Sequence, residues 1–236
     1  HGRVERGAYP AILTSASAHF SIARAAVAAG LGTDAVVHIR TDAHGRMDVR
    51  ELERMCAEMQ ADAAHPQGVP LIVCATSGTT VLGAFDDVAA IAEVCRKYDL
   101  WLHVDASWGG AAAFLPHDAP ERSVLAGLEN AHSITINPHK LLGVTHQCSF
   151  LLVHDKSVLI PPSHSDGGYL FHVPAEDALD MATKTLGCGR RGDALKFYLV
   201  WLRYGTQGLG DHIAHGLRMA QALWQRLQRI PSLELG

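Results

Sequence analysis

Apolar runs of strand length alternate with amphipathic stretches of helix length along most of the chain. This is the pattern of an α/β domain built on a mainly parallel sheet flanked by helices. Strands are expected over residues 35–40, 70–76, 100–105, 132–137 and 148–154. Helices are expected over 20–29, 48–63 and 86–98, the last with Asp86 and Asp87 placed to cap its start. Residues 159–174 break the alternation with Pro161-Pro162, Gly167-Gly168 and several histidines, and read as a long exposed loop. Two more helices are expected over 192–204 and 211–230, the second leading out of the domain. Both ends read as unfinished: the first residues carry no start-like feature, and Leu233-Glu234-Leu235-Gly236 resembles the opening of another strand. A fragment of a longer protein is expected.

Composition narrows the class. With 236 residues, 48% hydrophobic and 19% charged, the chain is large enough for one globular domain with a sizeable core. It has no apolar run long enough to cross a bilayer and no signal-like N-terminus, so a cytoplasmic protein without a membrane partner is expected. A net charge of −4 and the lack of a basic stripe argue against nucleic acid. The 5 cysteines include no C-x-x-C pair and read as reduced thiols, and the 15 histidines show no ligand spacing for a metal.

Two glycine patterns fail on context. Gly187-Cys188-Gly189-Arg190-Arg191-Gly192 has dinucleotide-loop spacing, but the polar stretch before it is no buried strand. Gly78 to Gly83 has the spacing of a phosphate loop, yet Ala84-Phe85 stand where its Lys and Ser or Thr belong.

Two other segments fit together. The apolar run Leu100 to Val104 delivers Asp105 at its carboxyl end and then turns through Gly109-Gly110. Open α/β sheets bind ligands at that edge. A second short strand ends in Asn137-Pro138-His139-Lys140, which brings a cation to the same edge. Lysine is scarce here, occurring at 97, 140, 156, 184 and 196, and Lys140 has apolar Leu141-Leu142 beside it. A sheltered position is expected, where an amine becomes nucleophilic toward aldehydes.

Asn137-Pro138-His139-Lys140, His103-Val104-Asp105 and Ala75-Thr76-Ser77-Gly78-Thr79-Thr80 resemble the group II pyridoxal-phosphate decarboxylases, most closely the glutamate and cysteine-sulfinate decarboxylases. The likeness runs in order from Thr14–Ser21 through Thr79–Asp86 to Gly168-Tyr169-Leu170-Phe171 and Cys188-Gly189-Arg190. It implies the large domain of fold type I, the aspartate-aminotransferase-like fold, over residues 1–209. Residues 210–236 would then lead toward a C-terminal small domain. The resemblance implies pyridoxal 5'-phosphate as cofactor, an amino acid as substrate, acidic by first expectation, and a homodimer.

By the same resemblance Lys140 holds the cofactor covalently, Asp105 pairs with its ring nitrogen, and His19 stacks on the ring. Thr80 lies near the ring hydroxyl, Asn137 and His139 near the phosphate, and Tyr169 in a catalytic loop. Strand-end capping is the competing reading for Thr80, Asn137 and His139. Three departures stand out: Ser107 occupies a place where the family has Ala against the ring, residues 115–122 read as a lengthened surface loop, and nothing in residues 1–18 resembles the family's phosphate cradle. Decarboxylation is the expected activity. An aminotransferase, an aldehyde-forming relative and a non-catalytic remnant of the fold are the alternatives.

Overall fold

The computed structural model describes residues 9–62, 65–159 and 191–233. One sheet holds β1 (Pro10–Ser15), β2 (Val36–Ile39), β3 (Val69–Thr76), β4 (Trp101–Asp105), β5 (Ser133–Ile136) and β6 (Phe150–Val153) in the order β2-β1-β3-β4-β5-β6. The first five strands are parallel, and β6 joins β5 antiparallel at the edge. Five of these strands match those expected from the sequence, and β1 is an addition. Its hydroxyl residues disguise it: Thr14 and Ser15 are fully buried, and the Thr14 hydroxyl donates to the Cys74 carbonyl of β3 at 3.0 Å.

Helix α1 (Ser21–Ala28) follows β1, α2 (Val49–Ala61) follows β2 and α3 (Val88–Lys97) follows β3. Helices α2 and α3 cover one face of the sheet, where Leu52, Cys56, Val88 and Ile91 pack against Leu13, Val73, Leu102 and Val104. Side chains alternate along a strand, so Leu102 and Val104 enter this core while Trp101, His103 and Asp105 take the opposite face.

Asp48 caps α2, accepting from the N–H groups of Arg50 and Glu51, and Asp87 caps α3 through the N–H of Ala90. Asp86 does not share that task, contrary to expectation. It is buried, and its two oxygens accept from the N–H groups of Met47 and Thr76, each at 2.7 Å. The pair of bonds ties the turn before α2 to the end of β3. Burial pushes the Asp86 carboxyl above its ordinary value, and the same two hydrogen bonds oppose that rise. Asp86→Ala orphans both N–H groups at a cost of about 1–3 kcal/mol each. Equilibrium urea unfolding should therefore show a loss of roughly 2–6 kcal/mol, whereas an unchanged midpoint would mean that the ties are dispensable.

A second core lies beyond β4 and β5. There Ala111, Leu115, Leu142, Val144 and Cys148 pack against Leu209 and Ile213 of α4 (Asp193–Leu227). Helix α4 is broken at Gly205, whose φ of 65° and ψ of 177° suit only glycine. The break replaces the gap expected between 204 and 211, and the second helical arm starts directly after it. Part of the expected loop at 115–122 belongs to a short 3₁₀ helix, Pro120–Leu125, where Arg122 donates to the carbonyls of Ala113 and Leu115. Cys56, Cys74, Cys95 and Cys148 are free thiols and buried, and burial pushes Cys56 and Cys95 up to about 12. No described helix is long and apolar enough to cross a membrane.

Candidate active site

The chain runs from β1 outward to β2 and then returns across β1 to form β3, so strand order reverses between β1 and β3. Ligands of open α/β sheets bind beyond the carboxyl ends of the strands at such a reversal. The loops that leave β1 and β3 enclose a cleft of about 580 Å³ at that point, lined by Ser17, His19, Phe20, Thr80, Val81 and Leu82. His19 and Thr80, distant in sequence, thus share one cleft. The imidazole of His19 is held by its own turn: Nδ1 accepts from the Ser21 N–H at 3.2 Å and lies 2.9 Å from the Ser21 hydroxyl.

The next two strand ends carry the remaining candidates. Asp105 closes β4, and its Oδ1 accepts from the Ser107 N–H at 3.0 Å. The Ser107 carbonyl accepts from the Asn137 N–H at 3.2 Å, which joins the ends of β4 and β5. Asn137 Oδ1 accepts from the Ser149 hydroxyl at 2.5 Å. His139 Nδ1 lies 3.1 Å from the Cys148 N–H and 2.5 Å from its carbonyl, so this ring edge is committed to holding the backbone before β6. These bonds leave Asn137 Nδ2 and His139 Nε2 for other partners. Tyr169 lies outside the described residues.

Lys140 follows in a turn closed by its N–H to the Asn137 carbonyl at 2.9 Å. Its side chain is exposed, which corrects the expectation of a sheltered amine. In so tight a turn successive side chains diverge, so Pro138 and Leu142 are buried while Lys140 points outward. The apolar neighbours reported on their own burial. Among the described residues no hydrogen bond or ion pair engages the Lys140 amine, and none joins it to Asp105.

Glycines allow the loops to meet. Gly78 has φ of 94°, and a Cβ there would sit 2.8 Å from Trp108 Cε3. A Cβ on Gly109 would lie 2.5 Å from the Ser77 carbonyl oxygen, which accepts the Gly109 N–H. Gly109→Ala should therefore pry the β3 and β4 loops apart. Because the obstacle is backbone, we expect a loss of about 1–3 kcal/mol in thermal unfolding, together with weaker cofactor binding; an unmoved melting temperature would refute the contact. The glycine pattern at 78–83 forms a turn closed by a bridge between Ser77 and Phe85 and opens no helix, in keeping with its rejection as a phosphate loop.

Two residues escaped the sequence reading. The hydroxyls of Thr76 and Ser77 are buried and have no hydrogen-bond partner among the described residues. Thr76 is the register partner of Asp105, and the Ser77 N–H donates to the Asp105 carbonyl at 2.9 Å. Only the pairing of β3 with β4 reveals this, and pairing is invisible in one chain. Buried hydroxyls without partners are costly, and these two stand at the end of β3 beside the strand end that carries Asp105. A carboxylate, hydroxyls, an imidazole and an unengaged primary amine along one edge suit a polar aromatic aldehyde with a ring nitrogen, as pyridoxal phosphate is.

Comparisons with known proteins agree. The conserved domain of the pyridoxal-dependent decarboxylases matches residues 4–235. An L-aspartate decarboxylase of Metarhizium robertsii is 43% identical over 226 residues, covering 95% of this chain and 44% of that protein. Human cysteine sulfinic acid decarboxylase is 42% identical over 228 residues, covering 95% and 45%. The crystal structure of mouse CSAD superimposes with a TM-score of 0.85 at 40% identity, covering 98% of this chain and 48% of that one. The chain thus spans just under half the length of these relatives. Its fold is that of the fold type I decarboxylases, and the chain belongs to the pyridoxal-dependent decarboxylase family.

Proposed function

We propose that the protein is an amino-acid decarboxylase acting on a substrate with an acidic side chain, and that this chain supplies the part that holds the cofactor. One observation carries the reading: a family match over nearly the whole chain coincides with Asp105, Lys140, His19 and Thr80 along one sheet edge. The acidic substrate class is supported by relatives named for aspartate and cysteine sulfinate.

Pyridoxal phosphate, when bound, supplies an electron sink for the pair left on the substrate's α-carbon as carbon dioxide departs. Lys140 would hold it through its amine, which no competing partner occupies among the described residues. Asp105 would keep a proton on the ring nitrogen, with Oδ1 fixed by the Ser107 N–H. His19 would lie against the ring face and Thr80 near the ring hydroxyl, with the hydroxyl of Ser107 close to the ring. Asn137 and His139 would face the phosphate through Nδ2 and Nε2, the atoms their structural bonds leave over. Tyr169 would deliver the proton that replaces the lost carboxylate.

The intact protein would act as a cytoplasmic homodimer. The exposed Phe20, Val81 and Leu82 at the rim of the cleft are apolar surface of the kind a second subunit covers. The test is product analysis of the intact protein with glutamate, aspartate and cysteine sulfinate. Carbon dioxide and amine should appear in equal amounts, whereas a keto acid or an aldehyde would overturn the reading.

A further inference from the structure

The sheet face that carries Asp105 also carries a row of polar side chains running away from it. Register places Ser133 beside His103 and Thr135 beside Asp105. Trp101 Nε1 lies 2.9 Å from Ser133 Oγ, which lies 2.8 Å from His103 Nδ1, and His103 Nε2 lies 3.4 Å from Thr135 Oγ1. Four side chains on two strands therefore form one hydrogen-bonded line whose last member, Thr135, shares a rung with the candidate catalytic carboxylate.

The line has a direction. An indole N–H can only donate, so Ser133 Oγ accepts from Trp101. Ser133 has one hydrogen of its own, and among the described residues its side chain has hydrogen-bond partners only in Trp101 and His103. If His103 Nδ1 carried a proton, the Ser133 hydrogen would be left unpaired at a position only 6% exposed, at the cost of a buried orphan donor. If Nδ1 accepts instead, that hydrogen is used, the imidazole proton sits on Nε2, and it donates to Thr135 Oγ1. The hydrogen left over then belongs to Thr135, which is less buried and stands beside Asp105. Burial also pushes the His103 imidazole below its ordinary value, against the pull of the Asp105 charge, which favours the neutral ring.

We propose that His103 is a positioning residue for Asp105: held as the neutral Nε2–H tautomer by Ser133, it occupies the acceptor side of Thr135 and turns that hydroxyl hydrogen toward the Asp105 carboxylate. The role toward Asp105 rests on the proposed function, whereas the tautomer does not. Asp105 Oδ2 has no hydrogen bond among the described residues, so the Thr135 hydroxyl, directly or through one water, has an acceptor to meet.

Two measurements test this. The intact protein, stripped of cofactor and labelled with ¹⁵N-histidine, is examined by two-bond ¹H–¹⁵N correlation, with the His103 signals identified by their loss in His103→Gln. The Nε2–H tautomer is expected, and Ser133→Ala should release it to a mixture. An Nδ1–H tautomer or an imidazolium in the unaltered protein, or no change in Ser133→Ala, would overturn the proposal. The second measurement is cofactor titration, followed by absorbance. His103→Gln keeps a donor where Nε2–H stands and should bind within about 3-fold of normal, while His103→Asn lacks that reach and should lose about 10-fold or more, the scale of one hydrogen bond serving a charged group. Equal behaviour of the two variants would overturn the proposal. The tautomer is read without cofactor, so failure of covalent attachment at Lys140 would defeat the functional reading while leaving the tautomer result standing.

Discussion

Lys140→Arg should abolish decarboxylation, with turnover falling by roughly 10⁴-fold or more, the scale seen when a covalent nucleophile is removed. Arginine keeps the charge, but its guanidinium does not give up a proton and cannot add to an aldehyde as an amine does. The structure makes this substitution clean: Lys140 is exposed, and among the described residues its amine has no partner to lose. Exposed substitutions of that kind change stability by no more than about 0.5 kcal/mol, so the melting temperature should hold while activity disappears. Borohydride reduction of the loaded intact protein gives the chemical check. A pyridoxyl mass should appear on the peptide that contains Lys140. Finding it on Lys156 or Lys196, or nowhere, would remove Lys140 from its role.

Asp105→Asn should separate turnover from binding. The amide can still accept the Ser107 N–H through its oxygen, so the strand end keeps its shape. What it cannot do is hold a proton on a ring nitrogen, because it carries no negative charge. Loss of one preorganised electrostatic group at a reacting centre costs about 10²–10³-fold in kcat, and that is the decrease we expect. Cofactor should still bind, more weakly, since a charge-assisted hydrogen bond is roughly twice as strong as a neutral one. Near-normal turnover in this variant would show that Asp105 serves only to cap the turn after β4.

The sequence was most informative where side chains act through their own strand or turn. The apolar runs that became β3, β4 and β5 announce themselves, and so does the carboxyl end of β4, because an apolar strand that stops at Asp105 has an evident polar edge. It misled where burial depends on a distant partner. Thr14 and Ser15 look like loop residues until the Thr14 hydroxyl finds the carbonyl of Cys74. Asp86 looks like a helix cap beside Asp87 until the N–H groups of Met47 and Thr76 claim both of its oxygens. The hydroxyls of Thr76 and Ser77 gain meaning only once β3 is laid beside β4. Lys140 shows the converse error, because neighbours within a turn do not share an environment.

Among the described residues, four buried cysteines give the fold a set of internal clocks. A thiol reacts with alkylating reagents as its thiolate, and at neutral pH Cys56 and Cys95, pushed up to about 12, offer almost none while folded. Modification must therefore wait for an opening of the structure. The reporters are well spread: Cys56 sits on α2, Cys95 on α3, Cys74 on β3, and Cys148 in the separate core beneath α4. The order in which they take up reagent would reveal whether the α4 cluster comes away before the sheet and its two covering helices, and whether a bound cofactor slows one unit or both.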